Sequence, residues 1–156
     1  MHKMNLKTYK NNKGIGLIEV IAALGISLIV ITALVSLALF TLRSSLQSKL
    51  LLEATKVANR EVESLRAYRD KSLTWTDFTT GISGCYSPNL CNMISVSTIG
   101  SGVGTVDSNG QTLTKSFTLV QETSTLIKVE VAVTWSVGGQ NKSTHLYTYL
   151  SNWQNK

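Results

Sequence analysis

The chain has 156 residues and a formal net charge of +6, from 15 lysines and arginines against 9 aspartates and glutamates. Its length suits one globular domain, and a hydrophobic content of 43% is enough for one core. A basic balance of this size normally suggests nucleic acid or an anionic membrane surface as a partner. Four lysines precede residue 14, however, so residues 15–156 carry 11 bases and 9 acids, which argues against a general nucleic-acid binder.

The most apolar part of the chain is the segment 15–42, in which Glu19 is the only charged residue. As a helix rising about 1.5 Å per residue, the uncharged residues 20–42 extend roughly 34 Å, enough to cross about 30 Å of hydrocarbon. The polar residues of this stretch are too few for the polar stripe of a buried core helix. We therefore predict a membrane-spanning helix here.

The charges that flank this span predict its orientation. Four lysines precede it, whereas the bases that follow it, starting with Arg43, are mixed with acids. By the positive-inside rule, residues 1–14 lie in the cytoplasm and residues 43–156 lie outside. The sequence thus predicts a single-pass membrane protein with an N-in, C-out topology.

The residues at the start of the span resemble a known processing signal. The sequence KGIGLIEV at 13–20, followed by a long apolar helix, resembles the type III prepilin signal of the type IV pilin and pseudopilin superfamily. The resemblance implies that prepilin peptidase cuts between Gly14 and Ile15, so that residues 1–14 are a cleaved leader, and then methylates Ile15. It also implies that Glu19 pairs with the N-terminal amine of a neighbouring subunit during assembly. Such pairing has a physical reason, because an ionised group in an apolar environment is tolerated only with a partner.

Residues 43–70 are predicted to continue the helix in amphipathic form. Apolar residues recur at steps of three and four, with charges between them: Leu46, Leu50, Ala54, Val57, Ala58, Val62 and Leu65. Neither proline nor glycine occurs between residues 26 and 80, so we expect one helix from Ile15 to about Asp70. Its apolar stripe is expected to pack against the extracytoplasmic globular domain, residues 71–156.

Residues 79–111 form a turn-rich region within that domain. They hold six of the 11 glycines and the only proline, and they contain one short predicted strand at 93–99. Cys85 and Cys91 lie in this region, and outside the cytoplasm we expect them to form a disulfide, with two free thiols as the alternative. Zinc is not expected there, because no further cysteine exists and His145 is remote in the sequence.

The C-terminal part has the alternation of β-strands. Apolar residues alternate with polar ones over 127–136 and again over 145–150, with the turn signal Gly138-Gly139 between them, and a third strand is predicted at 112–121. The sequence therefore predicts an α+β fold in which the long helix packs on an antiparallel sheet of three or four strands. The resemblance to pilin-like proteins implies the same arrangement.

No catalytic motif stands out, so we expect no enzyme, cofactor or metal site. The resemblance implies a structural subunit of the minor class in a bacterial type IV pilus or type II secretion-like pseudopilus. Its expected partners are other pilin or pseudopilin subunits, prepilin peptidase and the membrane assembly platform. The subunit would reside in the cytoplasmic membrane before assembly and at the cell surface afterwards.

Two alternatives remain from the sequence. The first is a competence-type pilin whose exposed domain contacts DNA, although the lysines of that domain, Lys115, Lys128 and Lys142, are scattered along the chain. The second is a membrane-anchored domain with an uncleaved signal anchor, for which Gly14 and Glu19 would be coincidental.

Overall fold

The computed structural model describes residues 15–108 and 110–153. The leader 1–14, with its predicted cleavage site after Gly14, lies outside the described residues. Helix α1 spans Ile15–Lys71 and has 57 residues, which confirms the single continuous helix predicted from the sequence. The described residues divide into two units, the first ending at Ser45 and the second beginning at Leu46.

In the first unit, every side chain from residue 16 to residue 45 is exposed. Within the described residues, α1 is long and apolar enough to cross a membrane. The hydroxyl groups of Ser27, Thr32, Ser36 and Thr41 bond to carbonyls of the helix itself; for example, Ser27 Oγ donates to the carbonyl of Ala23 at 2.8 Å. Because these hydroxyls are satisfied locally, they add little polarity to the helix surface.

In the second unit, the C-terminal half of α1 is followed by two short helical segments and then by six strands. Helix α2 spans Trp75–Gly81, and a single 3₁₀ turn covers Ser83–Cys85. The strands are β1 Cys91–Ser95, β2 Thr98–Ser101, β3 Gly104–Ser108, β4 Gln111–Thr123, β5 Leu126–Val137 and β6 Gln140–Ser151. They form one antiparallel sheet in the order β2-β1-β4-β5-β6, and β3 pairs with the same edge of β4 as β1.

The core of the second unit lies between the apolar stripe of α1 and one face of this sheet. From the helix it buries Leu50, Ala54, Ala58, Val62 and Leu65. The five alternating apolar residues of β5, from Ile127 to Trp135, are all buried, as their period of two requires. Leu46 departs from the prediction: it continues the stripe in sequence but is 57% exposed.

The α+β fold class is confirmed, but the sheet has six strands where three or four were expected. The additional strands lie in the region 79–111, which the sequence indicated as turn-rich with one strand at 93–99. In place of that strand the chain forms the hairpin β1–β2, and β3 follows. These strands have four or five residues each, and the register of the hairpin shifts after Met93, so no regular alternation marks them in the sequence.

Candidate functional site

The exposed apolar half of α1 is the main candidate for a functional surface. We call residues 16–42 the apolar segment; its large apolar side chains are 51–70% exposed. Contiguous apolar surface of this extent marks contact with a membrane or with another protein. The segment carries one charge, that of Glu19.

Glu19 lies on α1 four residues after Ile15, the first described residue of the helix. Four residues correspond to about one helical turn, or roughly 6 Å along the axis. The Glu19 side chain is exposed, and among residues 15–108 and 110–153 no basic group forms an ion pair with it. Its carboxylate therefore stands near the start of the helix, in an otherwise apolar surface.

The predicted disulfide is present in the second unit. Cys85 and Cys91 are bonded, with their Cα atoms 5.5 Å apart, and both residues are buried. The bond connects the 3₁₀ turn to the first residue of β1. A buried disulfide in a small domain is typical of proteins outside the reducing cytoplasm.

The structure also brings together a buried ion pair that the sequence analysis missed. Glu61 on α1 is 2% exposed, and its Oε2 lies 2.6 Å from Nζ of Lys115 on β4. Its other oxygen accepts a hydrogen bond from the backbone N–H of Met93, whose carbonyl accepts a bond from Lys115 Nζ at 2.6 Å. Lys115 is one of the three lysines considered above for a DNA contact, but this ion pair withdraws its charge from the surface.

Both members of this pair carried a signal in the sequence. Glu61 follows Ala58 by three residues and precedes Leu65 by four, which places it on the buried face of the helix. Lys115 lies two residues after Leu113 and two before Phe117, both buried residues of β4, so it shares their face of the sheet. A charged residue on a buried face indicates a partner, although not which partner.

A second polar cluster lies on the opposite, exposed face of the sheet. Glu130 Oε1 accepts a hydrogen bond from Tyr147 Oη at 3.0 Å and lies 2.9 Å from His145 Nδ1. The hydrogen bond to Glu130 is the main cause that raises the pKa of Tyr147 above its usual value of 10.0. Lys128 Nζ lies 5.2 Å from the centre of the Tyr147 ring. Within the described ranges, no group of three or more His, Cys, Asp or Glu residues is arranged to hold a metal ion.

Comparison with protein-family models, curated protein sequences and solved structures yields no match to this chain.

Proposed function

We propose that the chain is a structural subunit, of the minor class, of a bacterial type IV pilus or of a type II secretion-like pseudopilus. One observation carries the proposal: an exposed apolar helical segment with a single acid near its start continues as the helix of a small disulfide-bonded α+β unit. An exposed apolar helix needs a lipid or protein environment, and a subunit of this kind uses both in turn. The role is assembly and not catalysis.

Before assembly, the apolar segment spans the cytoplasmic membrane with residues 1–14 inside and the globular unit outside. Prepilin peptidase then cleaves after Gly14 and methylates Ile15. Cleavage removes the leader lysines, which hold the N-terminus at the cytoplasmic face, and creates a new amine at the end of α1. The assembly platform can then transfer the helix from lipid into a bundle of similar helices.

In that bundle, Glu19 of one subunit pairs with the N-terminal amine of its neighbour. An isolated carboxylate among apolar helices costs several kcal/mol, whereas a paired one is tolerated. The pair therefore acts mainly against misaligned packing and fixes the axial stagger of adjacent subunits. The exposed Glu19 side chain, with no ion-pair partner among the described residues, supports this role.

The alternative of a DNA-contacting competence pilin has less support. Lys115 is engaged with Glu61 in the core, and Lys128 lies against the Tyr147 ring beside the Glu130 carboxylate. A duplex-binding surface needs several unopposed bases along one groove or face. We accordingly place the main function in the helix and not in the outer face of the sheet.

Intact-mass and N-terminal peptide analysis of the native protein tests the processing step. We expect a chain that begins at Ile15 and carries one methyl group on its N-terminal amine. An intact chain that begins at Met1, in cells with active prepilin peptidase, would contradict membership of this class.

Replacement of Glu19 tests the assembly role. Glu19→Ala should leave membrane insertion intact, since it makes the span more apolar, but should remove the subunit from sheared surface filaments. Ser27→Ala is the matched control, because the Ser27 hydroxyl bonds only within its own helix. Both variants are measured as the ratio of filament to membrane protein by immunoblot. Normal incorporation of Glu19→Ala would refute the pairing role.

A further inference from the structure

The hairpin formed by β1 and β2, residues 91–101, is weakly attached to the rest of the sheet, and we call it the flap. A single residue pair, Cys91 with Phe117, connects it to β4. Beyond that point the edge of β4 is occupied by β3, which begins with Gly104 opposite Lys115. The flap therefore leaves the sheet after its first residue and cannot be held there by a regular strand ladder.

At Met93, two side chains provide the hydrogen bonds that a strand ladder would otherwise supply. Its backbone N–H donates to Glu61 and its carbonyl accepts from Lys115, so both backbone groups are held by one buried ion pair. Hydrogen bonds to ionised groups are about twice as strong as neutral ones. Among the described residues, the other side-chain hydrogen bond between the flap and α1 is an exposed one, from Lys71 Nζ to Ser97 Oγ at 2.8 Å.

A groove of about 630 Å³ lies beside the flap. It is bordered by the flap residues 92–96, by β3 and by the helix residues Arg60 and Ser64, and Glu61 and Lys115 also line it. The outer half of the flap is poorly packed, since Ile94 and Val96 are 68% and 52% exposed. The apolar packing that opposes opening comes from the buried side chain of Met93 and from Ile99, which is partly buried against the core.

We propose that the flap opens as a unit about its base, and that the Glu61–Lys115 pair is its latch. The base is fixed by the Cys85–Cys91 disulfide and by the pairing of Cys91 with Phe117. Opening breaks the two hydrogen bonds to Met93 but leaves Glu61 and Lys115 paired with each other. Water then solvates both charges, and this solvation offsets part of the free energy lost with the two hydrogen bonds. Opening of the flap therefore requires less free energy than unfolding of the β4–β6 strands. This device is independent of the proposed assembly role of the apolar segment.

Amide hydrogen exchange of the full chain in detergent micelles, read by mass spectrometry, tests the latch. Glu61→Gln leaves the Lys115 ammonium without a counter-charge, and we expect exchange of residues 91–101 to accelerate about ten- to a hundredfold. Exchange of residues 126–151 should accelerate by a much smaller factor, because these strands open mainly by global unfolding. Glu63→Gln is the matched control, because Glu63 lies on the same helix but forms an exposed ion pair with Arg66. Unchanged exchange in the flap, or equal acceleration in both regions, would refute the proposal.

The double replacement Glu61→Met with Lys115→Met tests whether the pair holds the flap closed or only contributes to the stability of the core. It can be measured even if Glu61→Gln fails to fold. Apolar replacement of both members of a buried ion pair is often neutral or stabilising for the whole domain. It nevertheless leaves the N–H and carbonyl of Met93 without their partners. We therefore expect an unchanged or higher midpoint of urea unfolding together with at least tenfold faster exchange in the flap. Slow, wild-type exchange in the flap of this variant would overturn the latch.

Discussion

Replacement of Leu65 by alanine should destabilise the globular unit by about 3–5 kcal/mol, as large-to-small substitutions do in well-packed cores. Leu65 is 1% exposed and lies on the stripe of α1 that packs against the sheet. The side chain sits between a long helix and a long sheet, so its surroundings cannot easily collapse into the cavity that alanine leaves. For a domain of this size, whose total stability is about 5–15 kcal/mol, the loss is a large fraction.

Leu46 supplies the matched comparison, because it belongs to the same sequence pattern and loses the same atoms on replacement. It is 57% exposed, so Leu46→Ala should cost less than about 1 kcal/mol. The assay is urea unfolding of the detergent-solubilised chain, followed by tryptophan fluorescence. Trp75 and Trp135 are suitable reporters, since both are buried in the same core. Equal losses from the two replacements would show that the stripe does not pack on the sheet as described.

Three further predictions concern the globular unit. Replacing both Cys85 and Cys91 by serine should cost about 2 kcal/mol in the same urea assay, because the bond closes a short loop in the unfolded chain; a loss near zero would contradict this. Thr74 caps helix α2 through its side chain, so Thr74→Ala should lower the free energy of unfolding by about 1 kcal/mol. An unchanged urea midpoint would show that the cap does not contribute to stability. The pKa of Tyr147 should lie above 10.0 and fall on Glu130→Gln in an ultraviolet titration against Tyr147→Phe, because the hydrogen bond stabilises the neutral phenol. The stability from this bond is present below the ordinary tyrosine pKa and is lost as the pH rises through the raised one; a pKa insensitive to Glu130 would refute the assignment.

The parts of the fold that the sequence predicted are those with long, regular patterns. Helix α1 combines an uninterrupted apolar run with a three-and-four stripe, and β5 alternates apolar and polar residues over its whole length. Both patterns depend on residues that are close in sequence and so can be read without knowledge of the fold. The turn at Gly138-Gly139 could also be predicted from adjacent residues. Both glycines adopt positive φ values, 58° and 78°, which glycine accommodates in a tight hairpin turn.

The strands β1, β2 and β3 could not be predicted in the same way, because their stability comes from remote partners. β1 is placed by a disulfide, by one pairing to Phe117 and by the side chains of Glu61 and Lys115. The strand contains few residues of high β propensity, and its register is irregular after Met93. Local periodicity holds no information about such contacts between distant parts of the chain.

The residues of the candidate site also differ in how far the sequence alone predicts them. The cysteine pair could be inferred from two residues and their expected compartment, and Glu19 from its neighbours in the chain. The Glu61–Lys115 pair could be inferred only in part: each residue falls on a buried face by its spacing, but 54 positions separate the two. That they meet is a property of the packed helix and sheet.

The proposed role of Glu19 can be compared with the way the other acids of α1 are paired. In the globular unit, the acid that faces the core, Glu61, is fully engaged by a lysine and a backbone amide. The half-buried Glu53 and the exposed Glu63 of the same helix also have partners, in Lys56 and Arg66 respectively. Glu19, in contrast, lies in an apolar surface and has no ion-pair partner among the described residues. Because an ionised group in apolar surroundings requires a partner, the proposed pairing would supply one, in the N-terminal amine that processing creates on a neighbouring subunit.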